Sequence, residues 1–154
     1  LASYLRILWA LFWRSFVILV VNAIITYNLG LLAYASFEQT DSSVRTRMAL
    51  AFLPAAILFL LLARLRGVAQ RLMLETRSPV PVAQWQQAYL TLFAGSAFIV
   101  LVSVIGLMLP TEQWLALRSL LPMPVFVILW LFLAGRFSRS GAGSQPIPRL
   151  SEKS

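Results

Sequence analysis

The side chains able to act as acids, bases or cation ligands are few. The carboxylates are Glu38, Asp41, Glu75, Glu112 and Glu152, spaced singly along the chain. Glu38 and Asp41, with Glu112 from a distant loop, are the one set that folding can bring together around a cation. Three carboxylates without an imidazole make a poor site for a transition metal, and solvated surface charge accounts for them more simply. Ser42 and Ser43 have no histidine to activate them, because the sequence contains none. A serine–lysine dyad would have only Lys153, near the chain's end. The absence of cysteine removes disulfides, thiol catalysis and thiolate-ligated zinc, haem or iron–sulfur centres. No catalytic residue, metal site or cofactor is expected, and the chain is read as a non-enzyme.

The elements that carry these residues are set by hydropathy. Of 154 residues, 60% are hydrophobic and only 12% charged, about half the charged share of a soluble domain. The apolar residues fall in blocks close to the ~20 residues that cross a bilayer as helix. The fold class expected is all-α, a polytopic integral membrane protein with four transmembrane helices arranged as two hairpins. The spans read at about residues 15–37, 48–63, 89–109 and 117–133. An aromatic, amphipathic run, "SYLRILWALFWR", precedes the first. The N-terminal apolar block as a whole reads as too long for a signal peptide, with no small-residue cleavage site at its end. Trp9, Trp13, Tyr34, Trp85, Tyr89 and Trp114 stand near span ends, where ring and polar tip suit the headgroup level. Residues 1–137 form the membrane domain, and residues 138–154, rich in Gly, Ser and Pro, read as a disordered cytoplasmic tail.

Charge gives the orientation. A net charge of +8 suits nucleic acid in a soluble protein, but here the arginines flank apolar blocks, so no nucleic-acid partner is expected. The termini and the 64–88 connection hold ten basic and two acidic residues, a balance of +8, whereas the other two loops hold three of each. The positive-inside rule then places both termini and residues 64–88 in the bacterial cytoplasm, giving an N-in/C-in, multi-pass protein of the inner membrane.

Residues 64–88 form an elbow between the hairpins. Leu65, Val68, Ala69 and Leu72 fall on one helical face, with Arg64, Arg71 and Glu75 on another. Pro79 and Pro81 then interrupt the helix. The plainest role for the arginines is to fix topology. A sharper one is contact with lipid phosphate or a partner subunit through Arg64, Arg66, Arg71 and Arg77, since a guanidinium grips phosphate and carboxylate in two-pronged fashion. Within the spans, small and weakly polar stripes point to helix packing: Asn22 and Thr26, with Ser15, on the first, and Gly95, Ser96, Ser103 and Gly106 on the third. No Asp, Glu, Lys or His sits at mid-span, which argues against a proton-coupled pump. "FLPAAILFLLLARLRG" and "LLPMPVFVILWLFLAGRFSR" look alike, as any Pro-started, Arg-ended spans would.

The expected function follows from these exclusions: a non-catalytic scaffold or assembly subunit of a larger bacterial envelope complex, such as a transport, secretion or conjugation assembly. Its partners would be membrane lipids and other membrane subunits. One alternative is a small homo-oligomeric channel or carrier with its path between copies. Another is an immunity- or exclusion-type membrane protein.

Overall fold

The computed structural model describes residues 1–141. The helices are α1 (Ala2–Ser36), α2 (Asp41–Ala49), α3 (Leu53–Arg64), α4 (Arg66–Leu72), α5 (Val82–Ile105), α6 (Thr111–Leu120) and α7 (Pro122–Gly141). Single 3-10 turns lie at Glu75–Arg77 and Gly106–Met108. No strand occurs among the described residues. Four stretches are long and apolar enough to cross a membrane: Ala2–Ser36, Asp41–Arg64, Val82–Met108 and Thr111–Ser140. They make this a membrane protein.

Each stretch is longer than the apolar block that marks it. The amphipathic run before the first span joins that span without a break, in one helix of 35 residues. At 1.5 Å per residue it is about 50 Å long, more than the ~30 Å hydrocarbon layer needs. The second span gains α2, capped by Thr40, whose hydroxyl accepts from the Ser43 amide at 3.2 Å. Asp41 in its first turn and Arg47 in its last suit the helix dipole. The third span begins at Val82, so the last residues of the 64–88 elbow belong to α5. The final helix continues through Ser138 to Gly141, into the segment read as tail, and residues 142–154 lie outside the described residues.

Each spanning helix packs on its neighbours in sequence, and the first packs on the last. The α3–α5 contact is the most extensive, followed by α1–α7, α5–α7 and α1–α3. Partners pair in antiparallel order. Arg14, Asn22 and Thr26 of α1 bond to Met73, Ala55 and Ala51 respectively. One hydrophobic core runs through the bundle, with Leu11, Phe59, Leu92, Ile99 and Leu133 at its centre. Large apolar side chains such as Ile24, Leu32, Phe98 and Phe132 face outward, as lipid contact permits.

The α2–α3 junction shows what the polar residues of α1 do. Residues 50–52 leave the helical ladder, and Pro54 follows in the first turn of α3. In hydrocarbon, freed backbone groups need internal partners. The Asn22 side-chain oxygen accepts from the Ala55 amide at 2.9 Å, and the Thr26 hydroxyl donates to the Ala51 carbonyl at 3.2 Å. On the same helix, the Ser15 hydroxyl accepts from the Trp130 indole at 3.1 Å, tying α1 to α7.

Candidate functional site at the basic end of the bundle

One end of the bundle gathers the start of α1, residues 64–82 and the end of α7. Three ionisable side chains close it. Glu75 is fully buried, at 0% exposure, in the 3-10 turn that follows α4. Arg66 grips it with both prongs: Nη1 donates to Oε1 at 3.2 Å and Nη2 to Oε2 at 2.5 Å. The same Nη2 donates to the Val82 carbonyl at 3.1 Å, so one guanidinium joins α4, the turn and the start of α5. Arg14 enters from α1. Its Nε donates to the Met73 carbonyl at 2.9 Å, Nη2 to Leu74 at 3.0 Å and Nη1 to Ala10 at 3.1 Å.

Aromatic rings floor this cluster. The Arg14 guanidinium lies 4.6 Å from the Trp85 ring centroid and that of Arg66 lies 5.9 Å from Tyr89. Trp85 and Tyr89 are one helical turn apart, with centroids separated by 5.6 Å. A cation over a ring face gains more where water is excluded. Both rings are buried, which corrects the expectation that they belong to a headgroup belt. Trp114 is likewise buried and donates to the Ser103 carbonyl at 3.1 Å, whereas Trp9, Trp13 and Tyr34 are exposed.

The backbone is bent to make the cluster possible. Leu74 has φ 49° and ψ 42°, the left-handed region a branched aliphatic residue normally avoids. Such a residue costs about 1–3 kcal/mol and persists only when its surroundings over-determine it. Here Arg14 holds its carbonyl from one side and Glu75, the next residue, is held from the other. The twist turns the carboxylate inward instead of letting α4 continue.

The four elbow arginines therefore do not share one surface. Arg66 is spent inside the cluster, while Arg64, Arg71 and Arg77 are exposed. On the expected apolar face of α4, Ala69 is buried and Leu65, Val68 and Leu72 are exposed. The stripe on α5 is buried throughout. A Cβ on Gly95 would overlap the Leu129 side chain of α7, and one on Gly106 would come within 3.0 Å of Leu117. The Ser96 hydroxyl turns back to Leu92 of its own helix, and Ser103 offers its carbonyl to Trp114.

Two residues that build the cluster are not singled out by the sequence: Arg14, inside the aromatic run of α1, and Glu75, placed on one helical face with Arg64 and Arg71. The usable signal was a lone acid among arginines beside two aromatics. Both Glu75 oxygens accept from Arg66 and the side chain is fully buried, so the pair clamps the turn to α4. Glu38, Asp41 and Glu112 form no group able to hold a metal among the described residues. No family model, curated protein or solved structure matches this chain.

Proposed function

We propose that the chain is a non-catalytic, multi-pass subunit of a larger envelope assembly in the bacterial cytoplasmic membrane. Both termini and the elbow face the cytoplasm, and α4 is the docking surface. The observation that carries this reading is a contrast within residues 64–75. The elbow backbone is clamped by Arg14, Glu75 and Arg66, yet Leu65, Val68, Leu72, Arg64 and Arg71 on it are left exposed. Arginine beside aliphatic surface, presented on a backbone already ordered, suits a protein contact because little conformational entropy remains to be lost on binding. The charge imbalance between the two ends supports the orientation. The homo-oligomeric channel gains less support, because Asn22 and Thr26 are used within the protomer to satisfy the α2–α3 junction.

The test has two parts. Val68→Ser with Arg71→Lys leaves the clamp untouched and should keep insertion and thermal stability while reducing recovery of co-purifying membrane partners severalfold. Full recovery of partners would remove α4 from the interface. Orientation is read from single cysteines at positions 41, 71 and 112 with an impermeant thiol reagent on intact cells. Labelling at 41 and 112 but not 71 is expected, and the opposite pattern would reverse the topology. Position 75 is unsuitable as a reporter because its side chain is buried.

A further inference from the structure

The basic end also contains an open cleft to which no residue of α4 contributes. It has a volume of about 780 Å³ and lies between the first turns of α1 and residues 74–79. Arg6 and Arg77 line it from opposite walls, with Trp9 and Trp13 on the α1 side and the Thr76 hydroxyl on the elbow side. Arg14 forms part of the floor, with all three of its bonding nitrogens committed to carbonyls. Neither the Arg6 nor the Arg77 guanidinium has a hydrogen bond or ion pair to another described residue. Glu75, the one acid described at this end, is enclosed and held by Arg66.

From these features we propose that the cleft binds the phosphate headgroup of an anionic phospholipid. Two guanidiniums without protein partners, lining one cleft from two elements, offer two-pronged donors to a phosphate seated there. The walls identify the phosphate as a lipid's. Trp9 is 67% and Trp13 48% exposed, on the helix that carries the cleft into the first span. Exposed indoles at a span's end favour the headgroup level, with acyl chain against the ring and the N–H toward water. Leu5 extends the apolar wall. A soluble phosphate compound would leave that wall uncovered. The site is built by the clamp, because Arg14 fixes Leu74 against α1 and so sets the distance between the two walls. It is separate from the α4 face and does not depend on the docking role proposed for it.

The tryptophans provide the assay. Trp85, Trp114 and Trp130 are buried, so quenching of the full-length protein by lipids with brominated acyl chains reports chiefly on Trp9 and Trp13. Reconstituted protein is titrated with brominated phosphatidylglycerol or brominated phosphatidylcholine of identical chains. Wild type should associate with the glycerol lipid on the order of tenfold more strongly, as arginines near an anionic surface can supply. Arg6→Gln with Arg77→Gln should abolish that preference and leave phosphatidylcholine quenching unchanged. Arg136→Gln with Arg139→Gln removes equal charge from exposed positions near the end of α7 and should preserve it. Equal quenching by both lipids in wild type would overturn the assignment. So would equal loss in the two double variants, which would reveal general attraction to the charged end. Displacement of the glycerol lipid by millimolar inorganic phosphate would also overturn it, by showing a site for free phosphate.

Discussion

At the end formed by residues 37–52 and 106–121, Arg45 and Arg118 reach only backbone carbonyls, whereas at the opposite end Arg14 and Arg66 meet carbonyls and a carboxylate as well. Arg45 Nη2 donates to Leu107 and Leu109 at 3.2 and 2.9 Å, and its guanidinium lies 5.1 Å from the Trp114 ring centroid. Arg118 Nε donates to the Met48 carbonyl at 3.2 Å. Leu107 and Leu109 belong to the turn that follows α5, and the Met48 carbonyl, near the end of α2, also accepts from the Ala51 amide at 3.3 Å. The basic end uses the same residue type on the same kind of carbonyl, then adds an enclosed charge. Removing an arginine at the first end leaves carbonyls that water can reach. Removing Arg66 takes both hydrogen-bond donors from a fully buried carboxylate and leaves it only the more distant charge of Arg14. The chemistry of the donor is constant, and the consequence of losing it is set by what it faces.

The largest expected effect is therefore at Glu75. Arg66→Ala should destabilise the protein, toward the lower end of the ~3–5 kcal/mol that breaking a buried ion pair costs, because Glu75 is fully buried and Arg66 itself is 23% exposed. Adding Glu75→Gln to it should restore a good part of that loss, because the stranded charge disappears. The measurement is reversible unfolding in mixed detergent micelles. If the single variant matches wild type, the pair is not enclosed and the contrast between the two ends fails.

Between the ends, packing dominates. Gly95→Leu should force α5 away from α7, because the added side chain overlaps Leu129 on an opposing helix. Overfilling of this kind costs about 1–3 kcal/mol. Gly106→Leu should cost less, since Leu117 and Trp114 belong to the short α6 at the bundle's edge. Gly30→Ala, where a Cβ meets nothing within 4 Å, should be neutral or slightly stabilising. Thermal stability of the three variants in detergent gives the order, and an equally large loss at Gly30 would remove the packing explanation.

The legible and illegible parts of this molecule divide along sequence separation. Four spans can be read because each is a local apolar block, and the 95–106 stripe can be read because its spacing is helical. Arg14 and its acceptors Met73 and Leu74 lie about sixty residues apart. No local pattern distinguishes an arginine that will meet carbonyls from one that will snorkel. Arg66 and Glu75 are nine residues apart, beyond the three- or four-residue spacing of helical pairs, and they meet only because Leu74 reverses the chain. A periodic reading of α4 carried the helix past Leu72 and so placed Glu75 on an outer face. Trp85 and Tyr89 show the same limit, since burial under arginine and a place in a headgroup belt have one sequence signature.

The smallest expected effect tests the other side of the contrast. Arg45→Gln ends at the level of Nε, which has no acceptor, and so gives up both carbonyls, Leu107 and Leu109, along with the contact to Trp114. A charge-assisted hydrogen bond is worth about 1.5–3 kcal/mol where its acceptor is sealed from water. Leu109 is exposed, so its carbonyl can turn to solvent and most of that value is recovered. The ring contact adds about 0.5–1 kcal/mol at a partly exposed site. The sum is a loss of about 1–2 kcal/mol, smaller than that expected for Arg66→Ala in the same unfolding assay. The loss should arise at α2 and α6, seen as faster amide exchange there and unchanged exchange in α4. A loss equal to that of Arg66→Ala would mean that the two ends are sealed alike, and that carbonyls alone can make an arginine indispensable.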